Sequence, residues 1–241
     1  ERSPGHRSVL ISFPIGDARP AELRLVARLA RELGELEVRV TKEQNLLLRS
    51  VPIAALPGLF DQLAPAGLAR AVADTLLDVL TCPGADTCNL GITTSKGLGR
   101  ALEEEFKRAE LPVEELVGTT IKISGCPNGC SQHHIATVGL HGVARKVSGK
   151  QAPHYQMHLG GRIDGKGALI AKGSVKIPAK NAPQIIVRLV ERYLAERAAG
   201  EDLPEFLQRV DTSEVEQWLG PLLTLPTPSE APEAFLDWGD T

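Results

Sequence analysis

Four cysteines carry the clearest chemistry in the chain: Cys82, Cys88, Cys126 and Cys130. They form C-x5-C, a gap of 37 residues, and C-x3-C, with no cysteine elsewhere. Both pairs lie among turn-forming residues, C-P-G-A-D-T-C and C-P-N-G-C. Such turns suit a loop that wraps a compact inorganic object and turns backbone amides toward its negative charge. Four thiolates are the ligand set of a [4Fe–4S] cluster. Structural zinc also takes four cysteines, usually in C-x2-C knuckles, which the x5 and x3 spacings fit poorly. Buried free thiols are common, but four of them in paired Pro/Gly turns would be a coincidence. Disulfides would require an oxidising compartment that nothing here indicates. Spacing ranks an iron–sulfur site above zinc and leaves both open.

The elements that must position these thiols follow from periodicity. Residues 75–81 and 119–124 read as strands, and each delivers a cysteine pair into a turn. In the second, Ile121 and Ile123 share one face and Lys122 the other. A helix capped by Thr94 or Ser95 runs to Ala109, with Leu98, Leu102 and Phe106 recurring every four residues. Residues 135–144 and 154–160 read as further strands, and 183–197 as an amphipathic helix. Short helical patterns follow near 203–209 and 213–219. Upstream, residues 8–13, 36–40 and 45–50 read as strands, with helices over 21–33 and 58–63. In 36–40 the alternation puts Leu36, Val38 and Val40 inside. That β-α-β-β-α order predicts an α+β unit of ferredoxin-like type over 1–70. A second unit is expected over 71–220, and a Pro-rich acidic tail over 221–241. Residues 201–241 hold ten acidic groups and one basic group, Arg209. The tail reads as extended and solvated, pinned by Phe235 and Trp238.

Composition narrows the class. The 241 residues are 42% hydrophobic and 24% charged, the balance of a globular chain. Only 4% are aromatic, so aliphatic residues must fill the core. A formal net charge of −3 argues against binding nucleic acid through bulk charge. No apolar run approaches a membrane span, and residues 1–5 lack a signal-peptide pattern. The expectation is a cytoplasmic protein.

The motifs resemble a known family. Residues 81–93 (T-C-P-G-A-D-T-C-N-L-G-I-T) and 122–134 (K-I-S-G-C-P-N-G-C-S-Q-H-H) resemble the sirohaem/[4Fe–4S] signature of the assimilatory nitrite and sulfite reductases. Residues 39–52 (R-V-T-K-E-Q-N-L-L-L-R-S-V-P) resemble the end of that family's ferredoxin-like half-domain. His158-Leu159-Gly160-Gly161 and the final F-L-D-W-G-D resemble its later segments. The implied fold is α+β: a ferredoxin-like half-domain followed by an α/β domain that binds sirohaem and the cluster. The family carries two copies of this pair of domains, and this chain has room for one. The resemblance therefore implies a C-terminal half, cut from a longer reductase or standing alone.

By resemblance, Cys82, Cys88, Cys126 and Cys130 bind the cluster, and Cys130 also bridges to the sirohaem iron. The implied reaction is the six-electron reduction of nitrite to ammonia or sulfite to sulfide. Sirohaem carries many carboxylates, so its site calls for cations and amides. Arg39, Lys42, Gln44, Asn45, Arg49, Lys122 and Asn128 are the candidates within the matching motifs. No nucleotide fingerprint is visible, since Gly97-Leu98-Gly99 lacks the full pattern. Electrons are therefore expected from outside, from ferredoxin or a similar donor. The N-terminal half or a second copy of the chain is the expected partner. Two other readings stay open: a corrin-biosynthesis relative with the same ferredoxin-like and cluster unit, and a non-enzymatic electron-transfer module. A mononuclear metal site at His133 and His134 is set aside, because adjacent residues on a strand diverge.

Overall fold

The computed structural model describes residues 3–240; Glu1, Arg2 and Thr241, the ends of the first and last expected segments, lie outside it. The chain divides into one unit that ends at Ala73 and a second that begins at Asp74.

In the first unit the order is β1 (His6–Ile11), α1 (Pro20–Leu33), β2 (Val38–Val40), β3 (Leu46–Pro52) and α2 (Leu56–Leu63). The β-α-β-β-α order is the expected one. The strands form an antiparallel sheet in the order β1-β3-β2, with Val9 opposite Leu48 and Ile11 opposite Leu46. Pro20 opens α1, where its missing N–H costs nothing. Glu22 then accepts the Arg19 backbone N–H at 2.7 Å. Val26, Leu29 and Ala30 of α1 meet Ile11, Phe13, Leu48 and Val51 of the sheet in the core, with Leu59 and Leu63 of α2.

One expectation fails here. Leu36 and Val40 do not point inward; they are 76% and 79% exposed. Leu36 takes a left-handed φ of 61° in the turn that leaves α1, so the strand does not begin until Val38. β2 is a three-residue edge with a single neighbour, so alternation there has no second surface to pack against.

The second unit is built on a five-stranded mixed sheet in the order β10-β7-β6-β5-β4. These strands are β4 (Leu80–Thr81), β5 (Ile121–Ser124), β6 (Val138–Val147), β7 (Lys150–Leu159) and β10 (Lys172–Pro178). β8 (Arg162–Asp164) and β9 (Gly167–Leu169) form a separate hairpin. β4, β5 and β6 are parallel; β6, β7 and β10 are antiparallel. Ser148 and Gly149, both at positive φ, make the two-residue turn between β6 and β7.

The helices of this unit are α3 (Ser95–Ala109), α4 (Ala182–Glu196), α5 (Leu203–Arg209) and α6 (Thr212–Leu219). Leu98, Leu102 and Phe106 of α3 and Ile186, Leu189 and Val190 of α4 share one core with Ile121, Ile123, Leu140, Met157 and Ile177 of the sheet. Every one of these sheet residues points to the same side. The residues that alternate with them, including Lys122, Ser124, His141, Gln156 and His158, are polar. One face of the sheet is therefore an apolar floor for helices, and the other is a polar surface.

The strand expected over 75–81 is cut to Leu80 and Thr81. Asp74 sits at φ 58°, and the Asp78 N–H donates to the Thr75 carbonyl, so the segment turns before it extends. Among the described residues, 222–240 hold no strand, yet this segment is anchored. Phe235 and Asp237 are buried, and the Trp238 indole N–H donates to the Ala179 carbonyl at 2.7 Å.

Candidate cofactor site

β4 and β5 run parallel and adjacent, so their C-terminal ends emerge side by side. Cys82 follows the first and Cys126 lies two residues beyond the second. The parallel pairing alone thus brings two thiols from sequence-distant turns to one edge of the sheet.

Backbone contacts then lock the two turns together. The Cys82 N–H donates to the Ile123 carbonyl at 3.0 Å. The Ile92 and Thr93 N–H groups both donate to the Gly125 carbonyl, at 2.8 and 3.1 Å. The Gly125 N–H points at the Cys82 sulfur, 3.1 Å away. The Ser95 hydroxyl donates to the Cys82 carbonyl at 2.7 Å and also lies 3.4 Å from its sulfur. Gly125 is required for this approach: a Cβ there would overlap Gly84 Cα and the Thr93 carbonyl oxygen.

All four cysteines are free thiols, with Cys82 and Cys126 buried and Cys88 and Cys130 exposed. A mononuclear tetrahedral zinc, with Zn–S about 2.3 Å, would need its sulfurs about 3.8 Å apart. Among the described residues, the group of three possible donors lying within 4.8 Å of one another contains no cysteine. The donor chemistry suits a larger, soft object held by four thiolates, which is what an iron–sulfur cluster is.

Lys122 differs from its expectation as a side chain on an open polar face. All four residues of β5 are buried, and Lys122 is 6% exposed. Its ammonium donates to Gln132 Oε1 at 3.1 Å, just past the second cysteine loop. Asn128, inside that loop, is exposed.

The first-unit candidates are placed as follows. Arg39 pairs with Glu37 at 2.6 Å, Lys42 with Glu43 at 3.2 Å and Arg49 with Glu35 at 3.5 Å. These are solvent-facing pairs of the kind that contribute about 0–1 kcal/mol and exchange readily. The Arg39 guanidinium holds the Glu37 carboxyl below the ordinary carboxylate range. Gln44 is half-buried at φ 65°, in the turn closed by its N–H on the Thr41 carbonyl. Asn45 is fully buried, and its Oδ1 accepts the Phe13 N–H at 2.9 Å. Asn45 thus ties the turn to the start of the chain.

Sequence reasoning missed a polar network beneath the second loop. Ser124 Oγ lies 2.6 Å from Ser131 Oγ and 2.9 Å from His133 Nδ1. The signal was the polar alternation of β5, which periodicity reads as solvent exposure. It also mis-set His133 and His134. They lie in a 3-10 turn, not on a strand, and their rings approach to 3.9 Å between centroids. A third omission is Asp237, whose carboxylate accepts the Thr94 N–H at 2.8 Å where α3 begins.

Comparison with known proteins bears on this arrangement. A family model described as the nitrite/sulfite reductase ferredoxin-like half domain matches residues 1–66. A second, described as the nitrite and sulphite reductase 4Fe-4S domain, matches residues 72–225. The chain is 28% identical over 197 residues to a ferredoxin–nitrite reductase of Synechococcus elongatus, covering 81% of this chain and 38% of that protein. It is 26% identical over 199 residues to a sulfite reductase [ferredoxin] 2 of Mycolicibacterium paratuberculosis, covering 80% of this chain and 36% of that protein. Among solved structures, the NirA protein of Mycobacterium tuberculosis superposes with a TM-score of 0.78 at 25% identity, over 88% of this chain and 39% of that one. The chain thus spans under two-fifths of the length of these relatives. The family implies a [4Fe–4S] cluster and sirohaem as cofactors, and the free thiols at the β4–β5 edge fit the first of them. On the two domain matches and the fold they describe, the chain belongs to the nitrite and sulfite reductase family.

Proposed function

We propose that this chain is the cofactor-bearing half of a sirohaem nitrite/sulfite reductase, which converts nitrite to ammonia or sulfite to sulfide with six electrons. The observation that carries this reading is the pair of cysteine turns stitched together at the ends of two parallel strands. When bound, the cluster and sirohaem supply electron storage and an iron at which the oxyanion is reduced.

The chain's own residues hold that unit. Cys82, Cys88, Cys126 and Cys130 would hold the cluster, and Cys130 would also serve the sirohaem iron. The Gly125 amide, 3.1 Å from the Cys82 sulfur, and the Ser95 hydroxyl on the Cys82 carbonyl hold that ligand in place. Buried Lys122, held by Gln132 Oε1 at 3.1 Å, places its amino group beside the second loop, as a donor to anionic groups there. Arg39, Lys42, Gln44, Arg49 and Asn128 are side chains offered to the sirohaem carboxylates. Asn45 acts by holding the turn that presents Lys42 and Gln44.

Electrons come from ferredoxin or a comparable small redox protein, as the relatives' names suggest for those relatives. The rest of the oxyanion site comes from an N-terminal half or a second copy of the chain. Four free thiols on a redox centre suit the reducing cytoplasm.

Replacing the shared ligand tests the reading. In Cys130→Ser, purified without oxygen, the visible bands of the coupled centre are expected to disappear while the chain stays folded by circular dichroism. An unchanged visible spectrum would refute the bridging role.

A further inference from the structure

Five of the six histidines lie between positions 133 and 158, and the cysteine chemistry uses none of them. Three converge. β6 and β7 pair with His141 opposite Gln156 and Gly139 opposite His158, which puts His141 and His158 on diagonal positions of one sheet face. His133 comes over them from the 3-10 turn that follows the second cysteine loop. Its close approach depends on Gly139, where a Cβ would overlap the His133 carbonyl. The His133 ring centroid lies 4.9 Å from that of His141 and 5.0 Å from that of His158. One ring nitrogen of each histidine lies within 4.8 Å of the other two.

The hydrogen bonding leaves this cluster incomplete. His133 Nδ1 lies 2.9 Å from Ser124 Oγ. With Nδ1–H donating to that hydroxyl, the lone pair of Nε2 is free. His133 is fully buried, and its Nε2 has no hydrogen-bond partner. Leaving such an atom unsatisfied costs about 1–3 kcal/mol. His141 Nδ1 and His158 Nε2 lie 2.9 Å apart. Two imidazole nitrogens bound side by side to one ion at about 2.1 Å sit roughly 3.0–3.4 Å from each other, so this pair is already near ligand spacing.

We propose that His133, His141 and His158 form a binding site for a divalent transition-metal ion of the zinc class, additional to the four-cysteine set. Three neutral imidazoles with borderline softness select such an ion over magnesium or calcium. Burial keeps them neutral: it lowers His133 to about 3, His158 to about 4, and His141 below its ordinary value. The ion therefore displaces no protons at neutral pH. Ser124 can accept the His133 Nδ1–H as an outer hydrogen bond, which leaves Nε2 to the ion. The exposed His134, whose ring lies tilted 3.9 Å from that of His133, is outside this set of converging nitrogens. The nearby cations are Lys176, which is exposed, and Lys122, whose ammonium is turned to Gln132.

The test uses the whole chain as purified with its cluster, loaded with one equivalent of Zn²⁺ after chelator treatment. Zinc-edge X-ray absorption is expected to show a nitrogen/oxygen shell at about 2.0–2.1 Å with imidazole scattering. His141→Gln and His158→Gln, at partly exposed positions, are each expected to weaken zinc binding at least tenfold with iron and sulfide contents unchanged. A sulfur shell at about 2.3 Å would overturn the proposal, because the thiols would then be the ligands. Equal affinity in both variants would also overturn it. Failure of the cluster reading would show separately, as missing sulfide in a chain whose zinc shell is still nitrogen.

Discussion

Lys122 and His133 show how one side of a strand can be polar without being wet. Lys122 occupies the alternating position that sequence assigns to solvent, yet it is buried beside a cofactor loop. His133 is buried with it, and desolvation is the largest reason that its imidazole resists protonation. The linkage sign follows. In the unfolded chain these histidines titrate near 6.5; in the folded chain His133 titrates at about 3 and His158 at about 4. Between those values the unfolded state binds more protons, so stability is lost as the pH falls below about 6.5. Each histidine contributes a slope of at most ~1.4 kcal/mol per pH unit. Urea unfolding at pH 7.5 and pH 5.0 is expected to show this loss, and His158→Gln to show a smaller one. Equal losses in both chains would contradict the assignment. The cysteines themselves were legible from spacing and turn chemistry. Lys122 burial and the histidine convergence were not, because both depend on which strands become neighbours.

Element boundaries followed the same rule. α1, α3, α4, α5 and α6 begin and end within about two residues of where periodicity and caps put them, the uncertainty usual at helix ends. Each has an apolar stripe and a terminus signal. β10 gave no such signal, since Lys172–Pro178 carries Gly173 and a register shift. β8 and β9 gave none either, and the final segment was legible only in its expected pins, Phe235 and Trp238. Its acidic, Pro-rich composition describes a free tail, but Asp237 accepts the Thr94 N–H at the start of α3, where an anion meets the positive end of the helix. The Thr94 hydroxyl donates to the Trp238 carbonyl at 2.5 Å, and Lys180 lies 4.6 Å from the indole ring. The Asp237 carboxyl is raised by burial and offset by these donors. Gly97 faces the same carbonyl, and a Cβ there would overlap it. Gly97→Val is expected to release the segment at a cost of about 1–3 kcal/mol. The readout is faster proteolysis after residue 220 and a red-shifted Trp238 emission. Unchanged proteolysis would show that the segment is held elsewhere.

At the scale of the whole molecule, two units answer two physical demands. The smaller packs α1 and α2 on a three-stranded sheet and presents exposed, exchangeable ion pairs along its edge turns. The larger gives one face of its sheet to a helical core and the other to polar side chains, with the thiols at the end of its parallel strands. Family membership explains why these units occur together, and the chain spans 38% of the nitrite reductase it resembles. On the proposed function, this chain alone carries the redox unit. Its most direct test is anaerobic purification from a sirohaem-producing host, followed by a visible spectrum and assays of iron and acid-labile sulfide. Sirohaem bands are expected, with about five irons and four sulfides per chain, the sum of one sirohaem and one four-iron cluster. A chain without labile sulfide, its thiols holding zinc, would contradict it.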